Sequence, residues 1–192
     1  MAIEKTITVE RDIFINAFPK SLTQDVYSLL DKLRLTAKYK STECFQINYD
    51  RDILNIPYRI YYDEPLPLQL TDKEQLLLSC IFTRHHNGYI REKHLKNIIT
   101  TDTYLTTPFI AQLLGEYVIE ILNIIKDNLS ATLLDNLIRL KTDNKEFFYK
   151  TEQRIQSYWD CYYRRKFWKK TEYVGFEILK AISDTEQKRD ID

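Results

Sequence analysis

The segment TPFIAQLLGEYVIEILNIIKDN, residues 107–128, decides the fold of this chain. Proline near its beginning is typical of a helix start, because the first turn cannot use the donor that proline lacks. Polar residues then recur every three or four positions and leave apolar residues around most of the circumference. The segment therefore predicts a long central core helix over 108–128, with Leu114 and Ile121 fully buried.

The rest of the chain also favours helices. Only three glycines occur, which leaves few positions for the left-handed turns that an all-β fold needs repeatedly. Capping-box pairs mark helix starts at Ser21 with Gln24 and at Thr71 with Glu74. The apolar spacing predicts helices at about 22–37, after Thr71, at about 89–99, after a cap at Ser130, at about 143–168 and at about 171–183.

A different period occupies residues 44–62. Apolar and polar residues alternate there in two runs, which charged residues at 50–52 separate. Strict alternation predicts strands, so we expect a β-hairpin. Pro57 cannot donate to a ladder, which places the second strand at an edge or turns its nitrogen away from the partner strand. Residues 3–9 are a candidate third strand.

Length and composition predict one domain. A chain of 192 residues with 44% hydrophobic content is long enough to bury one sizeable core. No linker or change of composition divides it. We therefore predict a mainly α fold over residues 1–184, either a single-domain bundle or a short helix-pair stack of six to seven helices, with a small N-terminal β-hairpin. Residues 185–192 are expected to form a frayed polar tail.

Charge and cysteine content restrict the functional classes. Lys plus Arg and Asp plus Glu both number 28, so no overall field favours nucleic acid or an anionic membrane, and any such binding has to be local. Three well-separated cysteines favour neither a disulfide framework nor a closed zinc site; they fit a reducing compartment, and we expect a cytoplasmic protein. The longest charge-poor stretch, between Asp102 and Glu116, is too short to span a bilayer, and no membrane partner is expected.

One group of candidate metal ligands has a simpler structural explanation. His85 and His86, close to Cys80 and His94, carry the side chains that bind zinc, but their spacing matches no zinc pattern. Basic residues in the last turn of a helix complement its negative end, and Gly88 just beyond suits a left-handed cap. The sequence therefore predicts a helix end here and no metal site.

A pair of carboxylates also has a structural explanation. Glu116 and Glu120 lie one helical turn apart and could serve as metal ligands or as acid and base. No Glu-x-x-His motif accompanies them, so both are expected on the exposed stripe of the central helix. Glycine-rich nucleotide loops and the His-Glu-x-x-His and Gly-x-Ser-x-Gly motifs are absent. We predict no cofactor, and an enzyme remains possible only with a dispersed site.

The segment 158–170 interleaves aromatic and basic residues. Stacking groups beside phosphate-binding groups suit single-stranded nucleic acid. On a helix over 150–170, most of the candidate residues share one face, while Trp159 and Tyr162 are expected to point towards the core. The alternative is that the aromatic residues are core and the cations lie solvated over them. The candidate binding residues are Lys150, Arg154, Tyr158, Arg164, Arg165 and Lys169.

Residues 87–98, NGYIREKHLKNI, resemble the second helix of a HEAT-type repeat, with Asn87 in the usual Asp place, followed by the apolar-Arg pair Ile90-Arg91. The resemblance covers about a dozen residues. It implies a helix-pair scaffold that binds macromolecules and performs no chemistry.

These observations favour a non-enzymatic binding or scaffold protein whose partner is another protein, such as an adaptor or an immunity-type inhibitor. The second alternative is a nucleic-acid-binding protein that uses the helix 150–170, and the third is an enzyme of unrecognised type. An exposed apolar patch would favour a protein partner. The tyrosines expected to form it are Tyr58, Tyr61, Tyr62, Tyr158 and Tyr163.

Overall fold

The computed structural model describes residues 11–33, 43–63 and 69–189. The chain forms two compact units, residues 1–98 and residues 99–192. The mainly helical class with a small N-terminal two-stranded sheet is confirmed. The described part holds eight α-helices with both ends placed and a further helical stretch at 11–15, more than the six to seven predicted. The single domain over 1–184 stays a prediction.

In its described part, the first unit combines the helical stretch at 11–15, three α-helices with both ends placed and the hairpin. Its elements are α1 (Thr23–Leu33), β1 (Cys44–Tyr49), β2 (Asp52–Pro57), α2 (Asp72–Phe82) and α3 (Gly88–Ile98). Helix α2 packs on both α1 and α3. The helix predicted at 89–99 is thus confirmed as α3, whereas its membership of a HEAT-type repeat stays a prediction.

The hairpin is antiparallel and shorter than predicted. Phe45 lies opposite Ile56 and Ile47 opposite Leu54, and all four side chains are buried. The second strand ends at Pro57, not near residue 62, because the chain at Ile60 pairs with the segment at His85 instead of with β1. The candidate strand at 3–9 lies outside the described residues.

One of the two predicted capping boxes forms in the first unit. The Thr71 hydroxyl accepts from the Glu74 N–H, and the Glu74 carboxylate accepts from the Thr71 N–H at 2.9 Å. Glu74 also bonds Ser28 at 2.9 Å and Lys32 at 2.6 Å, which links α2 to α1 and, with Lys32 as the main cause, lowers the pKa of Glu74 to about 2. The Ser21 box is wrong, because residues 20–22 form a 3-10 turn before α1.

The described part of the second unit contains helices and the segments that join them, with no strand. Its α-helices are α4 (Thr107–Leu114), α5 (Ile119–Asp127), α6 (Ala131–Asp143), α7 (Lys145–Tyr158) and α8 (Val174–Arg189). Helix α8 packs on α5, α6 and α7, and α4 packs on α6 and α7. The cap at Ser130 is confirmed, since its hydroxyl accepts from the Leu133 N–H at 3.0 Å.

The single helix predicted over 108–128 is wrong, because the chain breaks between α4 and α5. Gly115 ends α4 and lies close to α7: a Cβ at this position would stand 3.1 Å from Arg154 Cδ. The break also turns Glu116 inwards, where it is buried, while Glu120 stays exposed. The two carboxylates therefore do not share an exposed stripe as predicted.

The last helix is longer than the predicted 171–183. It begins at Val174 and continues to Arg189, so residues 184–189 are helical. Two ion pairs join this end to α6: Lys141 with Glu186 at 2.6 Å, and Arg189 with Asp135. Interhelical pairing explains why this polar stretch stays in the helix.

Candidate binding surface

The end of α7 shapes the most unusual surface of the second unit. A π turn, Trp159–Tyr163, follows α7, and the chain then leaves the helix. The Trp159 Nε1–H donates to the Phe167 carbonyl at 2.9 Å and holds the returning loop against the helix end. The helix predicted to continue to about 168 therefore stops earlier.

The wide turn changes which aromatic side chain faces inwards. Trp159 is buried, as predicted, but Tyr162 is 67% exposed and its predicted core position is wrong. A π turn contains one residue more than an α turn, so the inward position moves from Tyr162 to Tyr163. Tyr163 stacks on buried Tyr173 with a centroid separation of 5.2 Å.

Tyr163 also fixes the break between α4 and α5. Its hydroxyl donates to the Tyr117 carbonyl at 2.6 Å, and burial raises the pKa of Tyr163. This bond places Tyr117, 51% exposed, beside the π turn. The two irregular points of the second unit, the break and the π turn, thus meet at one surface.

Three tyrosines form a continuous patch there. Ring centroids lie 6.0 Å apart for Tyr117 and Tyr158, 6.1 Å for Tyr158 and Tyr162, and 6.3 Å for Tyr117 and Tyr162. Each ring is tilted or edge-on to its neighbours, as aromatic pairs prefer. The patch therefore presents one uneven apolar face instead of separate stacking platforms.

An open groove of about 600 Å³ adjoins this tyrosine patch, and Tyr162 belongs to both. Trp168, 78% exposed, forms another part of its lining. The remaining lining residues are Asp160, Cys161, Arg164 and Arg165. The groove is thus lined by two large exposed aromatic side chains and by two guanidinium groups.

The cations of this surface differ in how they are paired. Arg164 bonds Asp160 at 2.9 Å and lies 5.7 Å from the ring of Trp159. Arg165, Lys166 and Lys169 are exposed, and no carboxylate among the described residues lies within ion-pair distance of them. We name the aromatic-basic surface by its six exposed members: Tyr117, Tyr162, Trp168, Arg165, Lys166 and Lys169.

The structure brings only part of the predicted binding face together. Arg165 and Lys169 lie beyond the helix end, so they cannot share a helical face with Lys150 and Arg154, and that prediction is wrong. Lys150 pairs with Glu146 at 2.7 Å, and Arg154 lies half-buried beside Gly115. The other predicted members, Tyr158, Arg164, Arg165 and Lys169, lie at or next to the aromatic-basic surface.

The tyrosine patch expected from the sequence is only partly present. Tyr62 is buried, Tyr58, Tyr158 and Tyr163 are half-buried, and Tyr61 is exposed. Sequence reasoning missed Tyr117, and it included Trp168 only as one of the aromatic residues of the segment 158–170, not as a candidate binding residue. Two features of the sequence could have indicated these residues: Gly115 lies two positions before Tyr117, and aromatic residues are frequent at 158–168.

The histidine cluster at residues 84–86 belongs to the first unit, where hydrogen bonds hold the segment after β2 against it. The Ile60 N–H donates to the Arg84 carbonyl at 2.9 Å, and the His86 N–H donates to the Ile60 carbonyl at 2.9 Å. The buried Arg84 guanidinium donates to the carbonyls of Pro57 and Tyr58, at 3.3 and 3.0 Å. Gly88 is not a left-handed cap, since no glycine in the described ranges has positive φ; it begins α3 instead.

His85 is held as a neutral ring in this cluster. Its Nδ1 accepts from the Asn87 N–H at 3.0 Å, so Nε2 carries the proton and donates to the Tyr62 carbonyl at 2.6 Å. Burial lowers the pKa of His85, and the nearby charges of His86 and Arg91 act in the same direction.

Acidification is therefore expected to destabilise the first unit. The folded-state pKa of His85 lies below its unfolded value of about 6.5, so the unfolded chain binds the additional proton between these two values. The contribution of neutral His85 to the stability of the first unit is complete above about pH 6.5 and is lost as the pH falls from there through the lowered pKa. Denaturant unfolding measured across this range should show the decrease, and His85→Gln should flatten it. An equal pH dependence in both proteins would contradict the neutral-ring assignment.

Metal-ligand clusters and membrane-spanning helices are both absent from the described residues. Within residues 11–33, 43–63 and 69–189, no group of three or more His, Cys, Asp or Glu side chains is arranged to hold a metal ion. None of the helices in these ranges is long and apolar enough to cross a membrane.

Comparisons with protein-family models, with curated proteins and with solved structures found no match to this chain.

Proposed function

We propose that this chain is a non-enzymatic binding protein, an adaptor or an immunity-type inhibitor, which binds a protein partner through the aromatic-basic surface. The observation that carries the proposal is the exposure of Trp168, at 78%, beside Tyr162, at 67%. Large aromatic side chains are costly to leave in water, and Trp, Tyr and Arg are the residues that most often dominate binding energy in protein interfaces.

The arrangement of the surface supports a protein partner. An apolar centre with a charged rim is the usual anatomy of a protein interface. Here the tyrosine patch and Trp168 supply apolar area and Arg165 supplies charge at the groove, while Lys166 and Lys169 are exposed neighbours of these residues in the chain. The tyrosines contact one another, which suits a packed protein side chain better than a series of bases, each of which needs a free ring face.

Single-stranded nucleic acid is the second candidate. One observation favours it: Arg165, Lys166 and Lys169 have no carboxylate partner among the described residues, so they are available to phosphates. The mutual contacts of Tyr117, Tyr158 and Tyr162 oppose it, since they leave fewer free ring faces on which bases could stack.

Cytoplasmic location is part of the proposal. Cys44, Cys80 and Cys161 are free thiols, and free thiols are usual in reducing compartments. We also propose that residues 87–98, which resemble part of a HEAT-type repeat, belong to a helix pair of that type, and such a helix pair favours a macromolecular partner.

Affinity purification from the source cells tests the function. We expect the double variant Trp168→Ala/Tyr162→Ala to lose its captured protein by about tenfold or more, since interface anchors of this type contribute at least about 2 kcal/mol. Stability should change by less than about 0.5 kcal/mol, because both side chains are mostly exposed. Tyr149→Ala is the matched control, since Tyr149 is 62% exposed outside this surface.

Two results would contradict the proposal, the first its binding site and the second its protein partner. Equal capture by the parent and the double variant would show that the aromatic-basic surface is not the binding site. Loss of capture after nuclease treatment of the lysate would show that the bound material is nucleic acid, the second candidate.

A further inference from the structure

We propose that the groove between Tyr162 and Trp168 binds an acidic segment of the protein partner, with an apolar side chain of that segment between the two rings and its carboxylates at Arg165 and Lys169. This inference rests on the proposed function and names the chemistry of the partner.

Charge at the groove selects an acidic occupant. Arg165 lines the groove and Lys169 follows Trp168 in the chain; both are exposed, and neither has an acidic partner among the described residues. The single acidic residue in the lining, Asp160, already pairs with Arg164. The remaining charge of the groove is therefore positive, and complementary potentials favour carboxylates from the partner.

The two exposed aromatic rings of the groove indicate that the acidic segment also contains an apolar side chain. Trp168 is 78% exposed and Tyr162 is 67% exposed, and both side chains line the groove. Two rings flanking an open groove gain most from covering an aliphatic or aromatic side chain, because apolar area is removed from water on both surfaces. A uniformly charged segment would leave these rings in water. The occupant is therefore acidic and amphipathic.

Two features hold the groove in shape before binding. The bond from Trp159 Nε1 to the Phe167 carbonyl fixes the loop that carries Trp168. The ion pair between Arg164 and Asp160 fixes the first guanidinium along the helix end. A preorganised site loses less side-chain entropy on binding, so a short segment is sufficient.

A selection from a random dodecapeptide library displayed on phage tests the inference with the full-length protein. Peptides enriched on the parent, compared with Trp168→Ala/Tyr162→Ala, should carry more Asp and Glu than Lys and Arg and contain at least one aromatic or large aliphatic residue. The best peptide, synthesised and titrated by fluorescence anisotropy, should bind about tenfold more weakly to Arg165→Glu/Lys169→Glu.

A matched control separates local charge from net charge. Lys145→Glu/Lys180→Glu makes the same change in net charge at two exposed positions elsewhere in the second unit, and it should alter the affinity by less than about twofold. Enriched peptides that are neutral or basic would overturn the inference. An equal effect of the two charge-reversal variants would do so as well.

The outcomes also separate this inference from the proposed function. Suppose that the aromatic variants lose capture and peptide binding while Arg165→Glu/Lys169→Glu has no effect. A protein partner would then be supported, but an acidic segment of that partner would be rejected. If protein capture and peptide enrichment were both unchanged in Trp168→Ala/Tyr162→Ala, the proposed function itself would be rejected. Tighter binding of oligo-dT than of the best peptide at low salt would overturn the inference in favour of nucleic acid.

Discussion

Replacing Leu114 with alanine is expected to destabilise the second unit by about 2–5 kcal/mol. Leu114 is the last residue of α4 and is fully buried, in a helix that packs on both α6 and α7. The substitution removes buried methyl groups and leaves a cavity that the surrounding helices fill only in part. Both tryptophans, Trp159 and Trp168, lie in this unit, so tryptophan fluorescence during denaturant unfolding reports on it directly.

A matched pair of isoleucine substitutions controls for the change in side-chain chemistry. Ile121 in α5 is fully buried, whereas Ile53 in β2 is 60% exposed. Ile121→Ala should cost about 2–5 kcal/mol, and Ile53→Ala, followed by circular dichroism, less than about 1 kcal/mol. If Leu114→Ala and Ile121→Ala both melted at the parent temperature, the assignment of α4 and α5 to the core would be wrong.

Replacing Arg91 with methionine is expected to destabilise the first unit by about 2–5 kcal/mol. The Arg91 side chain is almost fully buried, and its Nη1 donates to the carbonyls of His85 and His86, both at 2.9 Å. Methionine keeps much of the apolar stem but has no donor. Each carbonyl then loses a charged hydrogen-bond partner, and leaving a buried polar group unsatisfied costs about 1–3 kcal/mol.

Hydrogen exchange of the α3 amides measures this effect within the first unit. Exchange should accelerate along α3 and in the turn that carries His85 and His86. Lys96→Met is the control, since Lys96 lies on the same helix with its side chain largely exposed and paired only with Glu92 among the described residues, so its loss should cost less than about 0.5 kcal/mol. Equal protection in the two variants would contradict a structural role for Arg91.

Local signals predicted the elements of this fold better than their ends. The Thr71 and Ser130 caps depend on residues three positions away, so they could be recognised in the sequence. The break at Gly115 could not, because the close contact there is with Arg154, a residue distant in the chain. Apolar periodicity alone continued the helix through this point.

The candidate surface was only partly predictable for a similar reason. Aromatic and basic residues at 158–170 are visible in the sequence, but their exposure depends on the π turn and on the bond from Trp159 to Phe167. Tyr117 joins the surface through the Tyr163 hydroxyl, a contact between residues far apart in the chain. Composition indicated the residues, and tertiary contacts determined which of them face solvent.

The π turn at Trp159–Tyr163 accommodates one residue more than a regular helix would hold at this point. Deleting one residue there, such as exposed Asp160, would allow regular α hydrogen bonds and would make Tyr163 the third residue after Trp159, which is the inward position of a regular helix. Tyr163 would then still face Tyr173, and Tyr162 would still face solvent. A relative with one codon fewer at this point could therefore keep both the fold and the aromatic-basic surface, whereas the same deletion within α7 would rotate every following position by about 100° about the helix axis.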